Sequence, residues 1–338
     1  MKTSNVEPGN AKGGGAASVR LGNQAGGFRT FIGRSGLLLA LILLFIILAS
    51  VAPNFLSARN MFNVLRQVSF VGIIACGMTL ALIGAEVDLS VGSVVALTSA
   101  LLGVLSQKLH WPLAPVILLV LVEATLVGAL AGWIRVRWDV PGLIVTIALM
   151  LSLRGMAFVL TNAYPIPITN DSFAFLGSGN ILGLPFPAIL FLLMMGIFGF
   201  ISTRTVYGRS VYAVGGNSEA TRLSGIPVKR VRIIIFATTG FLAAISGVLL
   251  TSRLNSGYAG VGVGWEFDVI SAVIIGGTSL FGGEGSILGT LLGVLFIGLL
   301  GNGMVLLGVN PYLQDVARGV IILAAVLLSA LQRPKTSA

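Results

Sequence analysis

The chain carries only 11 Asp and Glu among 338 residues, and four of them open apolar runs as two pairs: Glu86 with Asp88 in EVDLSVGS, and Glu266 with Asp268 in EFDVIS. A charge at the centre of a bilayer costs about 2.5–3.5 kcal/mol on insertion scales, so such groups must face protein or water. Two chemistries suit them. At a helix start, with Ser90 close behind, Glu86 and Asp88 cap the free backbone N–H groups at the positive end of the helix dipole. Along a polar path, the same carboxylates accept hydrogen bonds from the hydroxyls of a passing solute or lock one conformation. Both readings hold equally for Glu266 and Asp268. Asn162 and Asn302 are neutral, and serve either as hydroxyl contacts or as hydrogen bonds between helices. The candidate pathway set is therefore Glu86, Asp88, Ser90, Asn162, Glu266, Asp268 and Asn302. Arg154, also inside an apolar run, is expected to pair with an acid such as Glu123 or Asp315, or to reach the outer surface on its long stem.

Residues for bond-making chemistry are missing. His110 is the single histidine and Cys76 the single cysteine, and neither HExxH, CxxC nor GxxxxGK[ST] occurs. The 45 glycines lie in apolar runs or short turns, without the preceding strand that a nucleotide fingerprint needs. No metal site and no nucleophile–base pair can be assembled, so the chain is read as neither an enzyme nor a cofactor carrier. The net charge of +10 has no soluble basic domain to present it, which argues against nucleic acid as a partner.

The elements that position these residues follow from composition. With 56% hydrophobic and 9% charged residues, the chain cannot cover a soluble surface. A crossing needs about 20 mostly apolar helical residues, whose backbone groups are satisfied within the segment. Ten runs qualify, near 36–52, 64–84, 89–107, 112–134, 140–162, 185–203, 232–252, 268–281, 286–307 and 312–331. The expected fold class is all-α, a polytopic membrane helix bundle of about ten spans. Residues 1–35, rich in Gly, Ala, Ser and Asn, read as a disordered cytoplasmic tail; 36–331 form the membrane domain, and 332–338 a short cytoplasmic tail. Cytoplasmic loops collect Lys and Arg. If the N-terminus is inside, so are Lys2, Lys12, Arg20, Arg29, Arg34, Arg135, Arg137, the cations of 204–232, Arg333 and Lys335, which places both termini in the cytoplasm.

The chain also repeats itself. After Glu86-Val87-Asp88 and Glu266-Phe267-Asp268, Thr98-Ser99 and Thr278-Ser279 follow in one register. Pairing helices 2–5 with helices 7–10 gives an inverted repeat, since the second helix runs inward and the seventh outward. Transporters built this way bind cargo at the repeat interface, often beside short, glycine-interrupted segments. The run 268–281, bounded by Gly276-Gly277 and Gly282-Gly283, is one. Those glycines equally suit close helix approach.

Residues 204–232 form the one extended basic, polar stretch between apolar runs, and read as a cytoplasmic docking loop. Within it Glu219-Ala220-Thr221 is followed by Gly225, Ile226 and Pro227. GRSVYAVGGNSEATRLSGI, together with EVDLSVGS and GGTSLFGGEGSILGTLLG at 276–293, resembles the permease subunit of ribose-type monosaccharide ABC importers, of the large-bundle kind, over roughly 36–331. The resemblance implies that this loop contacts a separate ATPase. The role falls on Tyr212, Gly215 and Asn217 as a turn, then on Glu219, Ala220, Thr221, Arg222, Leu223, Gly225 and Ile226 as a short docking helix; Thr221 departs from the second alanine of the family's pattern. It further implies a bacterial inner-membrane location, an extracytoplasmic sugar-binding protein, a second permease copy (homodimer or heterodimer), and ATP with Mg on the ATPase. The expected cargo is a monosaccharide of the ribose, xylose or galactose class. A sugar-like signal such as autoinducer-2 is the alternative cargo, and an ion-coupled secondary carrier using Glu86, Asp88 and Glu266 the alternative mechanism.

Overall fold

The computed structural model describes residues 36–331, so the expected tails, 1–35 and 332–338, lie outside the described residues. The helices are α1 (Gly36–Val51), α2 (Ala58–Ile83), α3 (Val91–Gly103, continued by a π turn over Val104–Lys108), α4 (Leu113–Arg137), α5 (Gly142–Thr161), α6 (Asp171–Ser178), α7 (Phe186–Arg204), α8 (Val206–Gly216), α9 (Ser218–Leu223), α10 (Val228–Leu254), α11 (Trp265–Ile275), α12 (Ile287–Leu306) and α13 (Pro311–Leu331). Local chemistry explains many boundaries. Proline fixes φ and lacks an N–H, so it suits the start of a helix; Pro112, Pro141, Pro185 and Pro227 immediately precede α4, α5, α7 and α10. Asn162 and Asn255 end α5 and α10 in the left-handed conformation, with φ of 52° and 48°.

Among the described residues, seven helices are long and apolar enough to cross a membrane: α2, α3 with its π turn, α4, α5, α7, α10 and α12. The chain is a multi-pass helical membrane protein. Three more helices, α1, α11 and α13, stand where the sequence places the first, eighth and tenth spans. Of these, α1 and α11 are shorter than a full crossing needs, α11 having 11 residues.

The centre of the bundle is α2 packed on α10. In α2, 83% of the apolar stretch is buried, against 17% in α5 at the periphery. The register of contacts gives the helix directions. Phe70 O accepts from Ser246 Oγ, Gly77 meets Thr239, and Gly84 meets Ile235, so α2 and α10 are antiparallel. α4 runs antiparallel to α10, with Ala124 against Gly240 and Gly132 against Ile233; α12 runs antiparallel to α2, with Val68 against Gly298 and Thr79 Oγ1 2.7 Å from Thr290 Oγ1. Likewise α3 lies beside α10 and α5, while α11 lies beside α2 and α13. The two halves therefore make the same set of contacts with opposite helix directions, the arrangement an inverted repeat requires.

Helices in lipid gain little from hydrophobic burial against one another, so close backbone approach carries the association. A Cβ on Gly128 would sit 2.1 Å from Phe236 O, and one on Gly240 would sit 2.3 Å from Ala124 O. Gly276 and Gly289 meet in the same way between α11 and α12.

The segment between α5 and α7 is more than a connector. Its strands β1 (Ile166–Pro167), β2 (Asn180–Ile181) and β3 (Leu184–Pro185) are short; β2 pairs with β3, and β1 pairs antiparallel with β4 (Ser256–Gly257) just after α10. Between them α6, capped by Asn170 accepting from Phe173 N at 2.9 Å, docks on the end of α10, where Gly177 N donates to Ser252 Oγ at 2.7 Å.

Candidate functional site

The polar stretch 204–232 folds into two short helices ahead of α10. Thr205 starts α8 by accepting from Gly208 N at 3.0 Å, and Val211 and Val214 turn inward at helical spacing. The expected turn over Tyr212–Asn217 is thus corrected: Tyr212 and Gly215 are helical, and Asn217 alone separates α8 from α9. The signal lay in the sequence, as a Thr cap followed by an inward-facing valine pair three residues apart. Asn217 Oδ1 then accepts from Glu219 N at 3.1 Å and Ala220 N at 2.9 Å, which starts α9. Gly225, at φ 83°, ends it in a conformation that side-chain-bearing residues avoid.

α9 presents Glu219 and Arg222 to solvent, paired at 2.6 Å, with Ala220 exposed and Leu223 73% exposed. The Arg222 hydrogen bond holds the Glu219 carboxyl below its usual range. Ile226, expected on the docking face, is instead half-buried against the bundle core. Thr221 points inward: its hydroxyl donates to Asn217 O at 2.7 Å and to Ala213 O at 2.8 Å, so the residue that departs from the family pattern staples α9 to α8. The result is a rigid knob with a charged and apolar tip, suited to meeting a protein surface.

The seven candidate pathway residues scatter. Glu86, 3% exposed, lies between Arg135 Nε (3.0 Å, hydrogen-bonded) and Arg232 Nε, which approaches to 3.0 Å without hydrogen-bond alignment. Asp88 accepts from Ser90 N at 2.9 Å, from Ser90 Oγ at 2.6 Å and from Thr239 Oγ1. Glu266 is buried in the first turn of α11, its Oε2 against Gly92 at the start of α3 and without a hydrogen-bond partner. Asp268 pairs with Arg318 Nε at 3.3 Å. Asn302 and Asn60 exchange two amide hydrogen bonds, at 3.0 and 2.8 Å. Asn162 is an exposed helix end. Among the seven, only Asp88 and Ser90 share a hydrogen bond.

Arg154 corrects its expectation: it donates to the carbonyls of Ala259, Val261 and Gly262, joining α5 to the loop before α11. Glu123, halfway along α4, has no hydrogen-bond or ion-pair partner among the described residues. Arg135, Arg232, Asn60 and Thr239 escaped the sequence reading as partners. For the two arginines the signal was present, as cations near the ends of α4 and α10; Asn60 and Thr239 offered none.

A family model described as branched-chain amino acid transport system / permease component matches residues 60–326. The probable ABC transporter permease protein YphD of Escherichia coli strain K12 is 49% identical over 90% of this chain and 92% of its own. The ribose import permease protein RbsC of Bacillus subtilis is 43% identical over 87% of this chain and 91% of its own. The L-arabinose transport system permease protein AraH of Escherichia coli strain K12 is 39% identical over 86% and 89%. No solved structure matches. Like its relatives, the chain is a transporter component rather than an enzyme. A multi-pass helical bundle, an exposed two-helix knob and these matches along nearly the whole membrane domain agree: the chain belongs to the family of ABC transporter permease components, in the branch of the ribose import permeases.

Proposed function

We propose that the chain is the membrane-spanning subunit of an importer that passes a monosaccharide, a pentose, from an extracytoplasmic binding protein to the cytoplasm. The observation that carries this reading is α9. It is capped, stapled and exposed, and it ends on Leu223, at the place where the family resemblance puts the ATPase contact. ATP and Mg are held by that separate subunit. The sugars named for the relatives, ribose at 40–43% identity and L-arabinose at 38–39%, favour a five-carbon sugar over the wider set that includes galactose. A neutral polyol asks for few charges on its path, which fits a bundle whose buried acids are mostly occupied by protein partners. Two copies enclose the path, with both termini and α8–α9 in the cytoplasm, and closure of the ATPase dimer rocks the bundles between inward- and outward-open states. Family membership disfavours the ion-coupled carrier. Selectivity rests on the binding protein, whose ligand decides between a pentose and a sugar-like signal.

The test is reconstitution into vesicles with the ATPase and binding protein. Radiolabelled ribose or L-arabinose enters only with ATP; entry without ATP, or driven by a pH gradient with this chain alone, rejects the proposal.

A further inference from the structure

At the end of α8 the knob meets both halves of the repeat. A Cβ on Gly215, near the end of α8, would lie 1.7 Å from Ile83 O and 2.7 Å from Gly283 N. Ile83 is the last residue of α2, in the first repeat; Gly283 belongs to the turn between α11 and α12, in the second. These two also bond to each other, Gly283 N donating to Ile83 O at 2.8 Å. The adjoining Gly282, at φ 86°, is fitted between Gly215 O and Ala85 Cβ. One turn back along α8, the Tyr212 hydroxyl donates to Gly285 O at 2.9 Å.

Three chain segments thus meet backbone to backbone, with no flexible side chain between them. On the other side of the joint α9 is coupled to α8 with equal stiffness, because Asn217 alone separates the helices and Thr221 bonds across to Ala213 O. Packed interfaces of this kind transmit small shifts rather than absorbing them. We propose that Gly215 and Tyr212 are positioning residues for transport: they carry displacement of the docked α9 to the end of α2 and to the α11–α12 turn together, so that both repeats move in one step. The segment leaving α2 holds Glu86 and Asp88, beside the joint, while Glu266 and Asp268 lie at the far end of α11. This inference rests on the reading of α9 as the ATPase contact.

Gly216 supplies an internal control. It is the next residue of α8, yet a Cβ there meets open space. The full chain, as the Gly215→Ala, Tyr212→Phe or Gly216→Ala variant, is reconstituted with ATPase and binding protein, and three quantities are read: ATPase retained, ATP hydrolysed, and labelled pentose taken up per ATP. Gly215→Ala is expected to retain the ATPase and hydrolyse ATP within about twofold of the unmodified chain, while uptake per ATP falls about tenfold or more, as for a displacement of about 1 Å in a preorganised assembly. Tyr212→Phe lowers uptake per ATP by about threefold, the loss of one hydrogen bond. Gly216→Ala changes none of the three.

Unchanged uptake per ATP in Gly215→Ala overturns the proposal, as does an equal fall in Gly216→Ala. Should Gly215→Ala fail to reach the membrane, Tyr212→Phe decides, and normal uptake per ATP there is the refuting result. An unmodified chain that retains no ATPase refutes the docking reading itself, and the joint's role with it.

Discussion

Glu86 shows how much a single buried charge organises here. Its carboxylate sits between two guanidinium groups that are 15% and 18% exposed, from α4 and α10. Removing one member of a buried charge set leaves the others uncompensated, at about 3–5 kcal/mol. Glu86→Gln should therefore lower the thermal unfolding midpoint of the solubilised protein markedly; an unchanged midpoint would mean that water already screens the cluster. The Asn60–Asn302 pair is the contrasting case, because side-chain hydrogen bonds between membrane helices contribute about 0.6 kcal/mol on average and at most about 1.7. Asn302→Ala is expected to cost about 1 kcal/mol, with the Asn60→Ala, Asn302→Ala double variant losing less than the sum of the single changes. Purely additive losses would show that the two amides do not act as a pair. Both Glu86 and Asn302 were candidates to touch cargo. In this structure their polar atoms are occupied by protein, so any role toward cargo requires those bonds to open.

At the scale of elements, α8 and α9 illustrate how caps set geometry. Thr205, Asn217 and Gly225 each fix a boundary locally, and Thr221 fixes the angle between the two helices through hydrogen bonds to Asn217 O and Ala213 O. Thr221→Ala, which restores the family's alanine, is expected to loosen α9 by about 1 kcal/mol, the net contribution of a typical hydrogen bond. Faster amide exchange over 218–224 would register it, and unaltered protection would argue that helix packing alone holds the knob. The exposed tip makes a different prediction. Leu223→Asp or Glu219→Arg should abolish co-purification of the ATPase while leaving membrane insertion intact, since both side chains face away from the bundle. An ATPase retained by both variants would move the contact elsewhere.

For the whole molecule, the proposed topology puts α9 inside and the β2–β3 turn outside. Leu223 is 73% exposed and Leu182 is 99% exposed, whereas the native Cys76 is fully buried. With an impermeant maleimide applied to intact cells, Leu182→Cys should label at once, and Leu223→Cys only after the membrane is opened. Labelling of both from one side would break the assignment of sides and the inverted repeat's relation to the membrane with it. The repeat ties the two halves together, because each antiparallel core helix carries the outer helices of the other half, α10 packing on α3 and α4 and α2 on α11 and α12, and the core helices themselves meet at contacts such as Gly77 on Thr239.

Much was legible because its causes are local. Apolar runs long enough to cross a bilayer, prolines at the starts of α4, α5, α7 and α10, and the basic stretch that became α8 and α9 are all properties of neighbouring residues, so the membrane class and most helix boundaries could be read from the chain. Even the repeat left a trace, in acids and hydroxyls that recur in one register. What the buried acids do was decided elsewhere. Arg135 lies 49 residues from Glu86, Thr239 lies 151 from Asp88, and Asn302 lies 242 from Asn60. A carboxylate in a dry interior takes whichever donor the packing brings to it, and one-dimensional spacing carries no record of that choice. Gly215 is the sharpest case: the sequence placed it only in a turn of the docking loop, and the meeting of α2, α8 and the α11–α12 turn alone shows that no side chain fits there.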